Sequence, residues 1–210
     1  MTSLHFETLT PESQELFPKF APFKDDFYLA GGTALALQIG HRVSVDFDFF
    51  SDVRIKKTFI NVVEEACHTA ASEVFVNNSA ELTLKIAGVK CTFLEYPFPR
   101  LLPLVPAGPV NLLSPKEILV TKAYTIGRRG SFKDYVDLYT GIRENISSIE
   151  EIMTLAREKY GEIFNDRLFL EQLVFVDDLD EVPLEMKNGP VPTKQEMIVF
   201  FSTEIQKIKL

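Results

Sequence analysis

The chain is poor in the residues that staple or metallate a protein. Two cysteines occur in 210 residues, Cys67 and Cys91, and they form no Cys-x-x-Cys pair. They read as buried, reduced thiols, which suits a cytoplasmic protein and not a disulfide scaffold. His5 and His68 have no partners at zinc-ligand spacing. His41, beside Arg42, reads as a structural histidine or a phosphate contact. No apolar run reaches the ~20 residues needed to span a bilayer, so no membrane association is expected. The segment MTSLHFETLTPESQ lacks a basic stretch followed by an apolar one, so no secretory signal is expected. There is no internal repeat and no low-complexity tract. Positive charge is also scarce: 22 Lys and Arg against 30 Asp and Glu give a net charge of -8. Such a chain is not expected to hold nucleic acid through bulk charge.

What is present is ordinary globular material, 46% hydrophobic and 25% charged. The length allows one large domain or two small ones with a real core. Charge is distributed unevenly. Residues 111–143 carry six basic residues against three acidic, whereas residues 144–210 carry seven against fourteen. An anionic ligand is expected to dock near the middle of the chain.

Thr10-Pro11-Glu12 predicts a helix opening with proline at its first position and running to about Phe20. A short strand over 26–30 leads into Gly31-Gly32, a helix over 33–39 stops at Gly40, and a strand covers 44–50. An amphipathic helix starts at Thr58, with Phe59, Val62, Val63, Ala66 and Ala70 on one face. Strands over 73–76, 81–86 and 89–96 form an antiparallel meander. Six of the twelve prolines then fall between Pro97 and Pro115, a composition that suits an extended connector. Beyond it the pattern is helical: 115 to 128 or 129, 132–143, a helix opening at Ser147 or Ser148, 166–174 and 194–207. The expected class is α+β: a small mixed sheet with flanking helices over residues 1–110, then a helical subdomain over 111–210 that completes a cleft.

The segment that carries chemistry is LAGGTALALQIGHRVSVDFDFF, residues 29–50. Glycine lets a backbone approach a ligand closely. The helix start after Gly31 and Gly32, with the Thr33 hydroxyl, can hold a phosphate. The plain alternative is a tight strand–helix turn. Asp46 and Asp48 are one residue apart in a β-prone run, so both carboxylates share a face, with Val45, Phe47 and Phe49 opposite. Two such carboxylates repel unless a cation or basic partner sits between them, which suits a divalent ion carrying a nucleoside triphosphate. The alternative is a solvated face of an amphipathic strand. Arg42 is a candidate partner and phosphate contact. Downstream, KAYTIGRRGSFKDYVDLY places Lys122 one helix before Asp134 and Asp137, which share a helix face. A lysine there can serve a triphosphate, and a carboxylate can orient it. A surface salt-bridge cluster is the alternative.

These motifs resemble the AbiEii/AbiGii toxin family of the DNA polymerase β-like nucleotidyltransferase superfamily. The matching residues are Gly31-Gly32-Thr33, the strand from Arg42 and Ser44 to Asp46 and Asp48, Lys122, and Asp134-x-x-Asp137-Leu138. The resemblance spans about residues 25 to 140. It implies that Asp46 and Asp48 hold Mg²⁺ (Mn²⁺ being the alternative), with Gly31, Gly32, Thr33, Arg42 and Ser44 around the nucleotide. Lys122 would stabilise the transferring group, and Asp134 or Asp137 would orient Lys122 or the acceptor. The superfamily usually adds a third carboxylate on a later strand; here 89–96 offers only Thr92 and Glu95, with Glu95 the candidate acid. The activity implied is transfer of a nucleoside monophosphate from an NTP to an acceptor hydroxyl, on RNA such as tRNA, as the toxin of a bacterial toxin–antitoxin pair. The alternatives are the same chemistry on a small molecule or protein, and a nucleotide-binding module without turnover.

Overall fold

The computed structural model describes residues 4–208. Contacts divide the chain into two compact units, the first ending at Ser114 and the second starting at Pro115.

The first unit is built on a seven-stranded mixed sheet of order β3-β4-β5-β2-β1-β7-β6. Its strands are β1 (Tyr28–Ala30), β2 (Asp46–Ser51), β3 (Glu73–Asn77), β4 (Glu81–Ile86), β5 (Val89–Glu95), β6 (Val105–Ala107) and β7 (Val110–Leu112). Three helices accompany it: α1 (Pro11–Leu16), α2 (Gly31–Ile39) and α3 (Phe59–Cys67). The meander β3–β4–β5 is antiparallel, as its turns suggest, while β2 runs parallel to β5 and antiparallel to β1.

The first helix is shorter than its pattern predicts. Thr10 caps it, accepting from the Ser13 backbone N–H at 3.2 Å. It ends at Leu16, and a 3-10 helix continues over Phe17–Phe23. Pro18 and Pro22 lack the N–H that an α-helix would use there. The proline-rich segment also differs from a bare connector. Residues 105–107 and 110–112 form a hairpin on the sheet edge, so the unit boundary lies at Ser114, beyond the expected 110. Pro106 is tolerated because β6 is the terminal strand, with a neighbour on one side only.

Phenylalanines dominate the core of this unit. Phe47 and Phe49 of β2 are fully buried. Phe20 sits 5.1 Å from Phe47 and 4.7 Å from Phe49, centroid to centroid, and Phe93 stacks on Phe49 at 4.9 Å. Phe23 and Phe59 close against Phe93 at 5.4 and 5.1 Å. Each buried ring contributes about 1.5–3 kcal/mol. A one-residue slip of β2 would exchange these rings for Asp46 and Asp48, so the aromatic cluster pins the register. Val45 does not join Phe47 and Phe49: it precedes the strand and is exposed.

The second unit is helical: α4 (Pro115–Ile126), α5 (Phe132–Arg143), α6 (Ile149–Tyr160), α7 (Asp166–Val174) and α8 (Lys194–Gln206). Ser148 with Glu151 and Thr193 with Glu196 form capping boxes that start α6 and α8. No helix among the described residues is long and apolar enough to cross a membrane.

Candidate active site

The exposed-side pattern of β2 is set by its core side. Phe47, Phe49 and Ser51 are buried, while Asp46, Asp48 and Phe50 alternate with them, half-buried, on the other face. The two carboxylate-bearing positions are about 7 Å apart along the strand. Across the sheet, Ala30 stands beside Asp48 on one side and Thr92 on the other, while Lys90 stands beside Asp46.

Gly31, the first residue of α2, explains the glycine requirement twice over. Its φ is +65°, and a Cβ built there would lie 2.6 Å from Asp48 Oδ2. The Asp48 carboxylate therefore lies against the backbone at the start of α2, at the end of the helix dipole that favours negative charge. Gly32 follows within the first turn. Thr33 is used differently from the expected phosphate contact. It is buried, and its hydroxyl donates to Ser44 Oγ at 2.8 Å and approaches the Asp46 carbonyl. Thr33 and Ser44 thus tie α2 to the entrance of β2, which fixes where Asp46 begins. Arg42 is buried as well, with Nη1 donating to the Val43 carbonyl at 3.1 Å. His41 is buried too, in line with a structural histidine.

Glu95 is not placed to complete a metal site with Asp46 and Asp48. It pairs in register with Ser51, so its side chain belongs to the Phe47–Phe49 face, and it lies 3.7 Å from Arg54 Nε. The neighbour of Asp48 on that strand is Thr92. One strand further, Thr83 Oγ1 lies 3.4 Å from Thr92 Oγ1 and donates to Glu81 Oε1 at 2.6 Å. The carboxylate face therefore continues as hydroxyls and ends at Glu81. Among the described residues no three His, Cys, Asp or Glu side chains are grouped for one ion.

In the second unit, Lys122 of α4 is held by both predicted carboxylates of α5. Its Nζ lies 2.5 Å from Asp134 Oδ1 and 2.9 Å from Asp137 Oδ2. This is no surface cluster: the Lys122 and Asp137 side chains are 8% and 0% exposed, and Asp134 is 14% exposed. A second buried pair was not legible in the sequence. Lys159 Nζ of α6 meets Glu117 Oε1 of α4 at 2.6 Å, with both side chains almost fully buried. The residues are 42 positions apart, and no local pattern links them.

Both cysteines are free and buried. Burial pushes the Cys91 thiol well up, and electrostatic repulsion from Cys67, Asp48 and Asp46 acts in the same direction. Burial also raises the Cys67 thiol, partly offset by Lys19. Neither is a poised nucleophile.

With this geometry in view, the likenesses to known proteins are informative. Residues 16–97 match the family model described as nucleotidyl transferase AbiEii toxin, type IV TA system. That stretch contains Gly31, Gly32, Asp46 and Asp48 but not Lys122. An uncharacterized protein of Aquifex aeolicus (strain VF5) is 29% identical over 185 residues, spanning 87% of this chain and 88% of that protein. MenT4, a nucleotidyltransferase toxin from Mycobacterium tuberculosis H37Rv, has a similar fold, with a TM-score of 0.57 at 13% identity over 95% of this chain and 87% of its own. JHP933 from Helicobacter pylori has a TM-score of 0.55 at 14% identity, over 93% and 91% of the two chains. The chain thus resembles the AbiEii family model in the sequence of residues 16–97, and MenT4 and JHP933 in fold.

Proposed function

We propose that this chain, whose residues 16–97 match the AbiEii nucleotidyltransferase toxin model, is a metal-dependent nucleotidyltransferase. In this reading it moves a nucleoside monophosphate from an NTP to an acceptor hydroxyl on RNA such as tRNA, acts as a toxin in the cytoplasm, and is restrained by an antitoxin protein. The observation that carries the reading is the pair Asp46 and Asp48 on one face of β2, with Gly31 and the start of α2 against Asp48.

The donor set fits a hard divalent ion. Asp46 and Asp48 offer carboxylate oxygens, and the space left by the missing Gly31 side chain keeps Asp48 beside backbone amides suited to phosphate. Mg²⁺ (or Mn²⁺) is commonly held by one or two carboxylates plus substrate phosphates, so two protein acids suffice. Bound there, the ion supplies charge neutralisation at the phosphoryl oxygens.

The chain's own residues do the rest. Gly31 and Gly32 bring the triphosphate close to backbone amides. Thr33, Ser44 and Arg42 hold α2 and β2 in place. Within the second unit, fully buried Asp137 anchors Lys122, and the more exposed Asp134 is the partner more cheaply exchanged for an anionic ligand. The acceptor oxygen bonds to the α-phosphorus, the bond to the bridging oxygen breaks, pyrophosphate leaves, and the acceptor proton passes to solvent. Exposed Arg128 and Arg129, at the turn after α4, support an RNA acceptor.

The test is a labelling screen with purified protein, Mg²⁺, each α-labelled nucleotide and several acceptor classes. Label is expected on RNA. Label on a protein or metabolite would move the acceptor, and no label on any class would overturn the reading.

A further inference from the structure

The carboxylate face of β2 does not end at Asp48. Phe50 is the next residue on that face, and it begins a row of rings. Tyr28 of β1, its cross-strand neighbour, lies 6.2 Å from Phe50, centroid to centroid. Tyr96 stacks on Phe50 at 4.4 Å, and Phe98 meets Tyr96 edge-on at 5.2 Å. The Tyr96 backbone N–H donates to the Ser51 carbonyl at 2.8 Å, which fixes where the ring stands. Arg100 places its guanidinium 5.3 Å from the centre of the Tyr28 ring and 3.4 Å from Asp52. Tyr96, Phe98 and Arg100, the outer part of the row, line an open groove of about 610 Å³ with Asp52, Pro97 and Pro99. That volume is within the range of small-molecule sites.

We infer that this aromatic row and its arginine form a nucleobase subsite continuous with the Asp46–Asp48 pair; the inference rests on the nucleotidyltransferase reading. Tyr28 is buried, while Phe50, Tyr96 and Phe98 keep part of their surface open. Phe50 lies one same-face step beyond Asp48, about 7 Å on. The nucleoside of a triphosphate held at the carboxylates would therefore be within reach of the rings. Rings stack with any base, and a guanidinium adds a cation–π contact or a phosphate partner. The base can belong to the incoming NTP or to a single-stranded RNA end. The chemistry required of the subsite is the same for both.

Calorimetry with Mg²⁺ separates these sources, using the four NTPs, inorganic tripolyphosphate, and short oligouridine and oligoadenosine. Tyr96→Leu should weaken an NTP, an oligonucleotide or both by about tenfold or more. Tyr96→Phe should restore binding, and tripolyphosphate affinity should be the same in all three proteins. Loss with NTP alone assigns the base to the incoming nucleotide, and loss with the oligonucleotide alone assigns it to the acceptor. The inference is overturned if Tyr96→Leu and Phe98→Leu both bind NTPs and oligonucleotides as the wild type does. It is also overturned if tripolyphosphate binding falls in step with them. A wild-type protein that binds oligonucleotide through Tyr96 but neither NTP nor tripolyphosphate would keep the base subsite and overturn the nucleotidyltransferase reading.

Discussion

Replacing Gly31 with alanine tests the architecture of the carboxylate pair with a single methyl group. Two costs follow from the geometry. The residue must hold a φ of +65° with a side chain, which costs about 1–2 kcal/mol. The new Cβ would also stand 2.6 Å from Asp48 Oδ2, so that carboxylate must retreat by about 0.8 Å to reach ordinary contact at 3.4 Å. The first cost falls on stability, a loss of roughly 2–8 °C in melting temperature for a chain of this size. The second falls on chemistry, where a displacement of about 1 Å can cost on the order of 100-fold in rate. Gly40→Ala is the matched control. Its φ is +67° and a Cβ there would meet His5 Nδ1 at 2.7 Å, at the far end of α2 from Asp48. Thermal melts and nucleotide transfer per folded molecule should therefore diverge: both variants lose stability, and only Gly31→Ala loses transfer. Equal transfer in the two variants would refute the claim that the missing Gly31 side chain positions Asp48.

Other outcomes follow from the same structure. Lys159→Ala strands a buried carboxylate at Glu117 and should cost about 3–5 kcal/mol in denaturant unfolding, much of it recovered in the Lys159→Met/Glu117→Met double variant; a loss below about 1 kcal/mol would contradict the pairing. Thr92→Ala should leave transfer within a small factor of wild type, because Thr92 stands beside Asp48 without supplying a carboxylate; a loss as large as that of Asp48→Asn, measured by labelling, would give Thr92 a direct role. Burial raises the Cys91 and Cys67 thiols and the Tyr135 hydroxyl, so on alkalinisation the unfolded chain sheds these protons before the folded one. The thiols' contribution is therefore complete below their ordinary value of about 8.5 and is lost as pH rises above it, and the Tyr135 contribution is lost only above the ordinary phenol value of about 10. Urea midpoints should fall above the thiol value, and both thiols should resist a disulfide reagent until the protein unfolds.

The parts legible in the sequence are those governed by local pattern. Asp46-Phe-Asp48-Phe alternation carried its own face assignment because the rings have a core to fill. The helices opening at Ser147 or Ser148 and at 194 were legible because their capping boxes, Ser148/Glu151 and Thr193/Glu196, are settled within four residues. What stayed hidden depends on pairing between distant segments. Glu95 could be placed only once the β2–β5 register was known, because that register alone decides its face. The Thr33 hydroxyl was read as a ligand contact, since nothing local shows that Ser44, eleven residues on, takes it. The β6–β7 hairpin was masked by prolines, which read as breakers unless the strand is known to be an edge. Lys122 with Asp134 and Asp137 was legible as a group, but its burial was not.

The most direct test of the central claim is transfer of labelled nucleotide by the Asp46→Asn/Asp48→Asn variant beside the wild type, with circular dichroism confirming that both are folded. Both side chains are on the half-buried face and outside the phenylalanine core, so the variant should fold. The account predicts label with the wild type and none above background with the variant. Wild-type levels of label in the folded variant would contradict it, because Asp46 and Asp48 would then not be the residues that hold the metal.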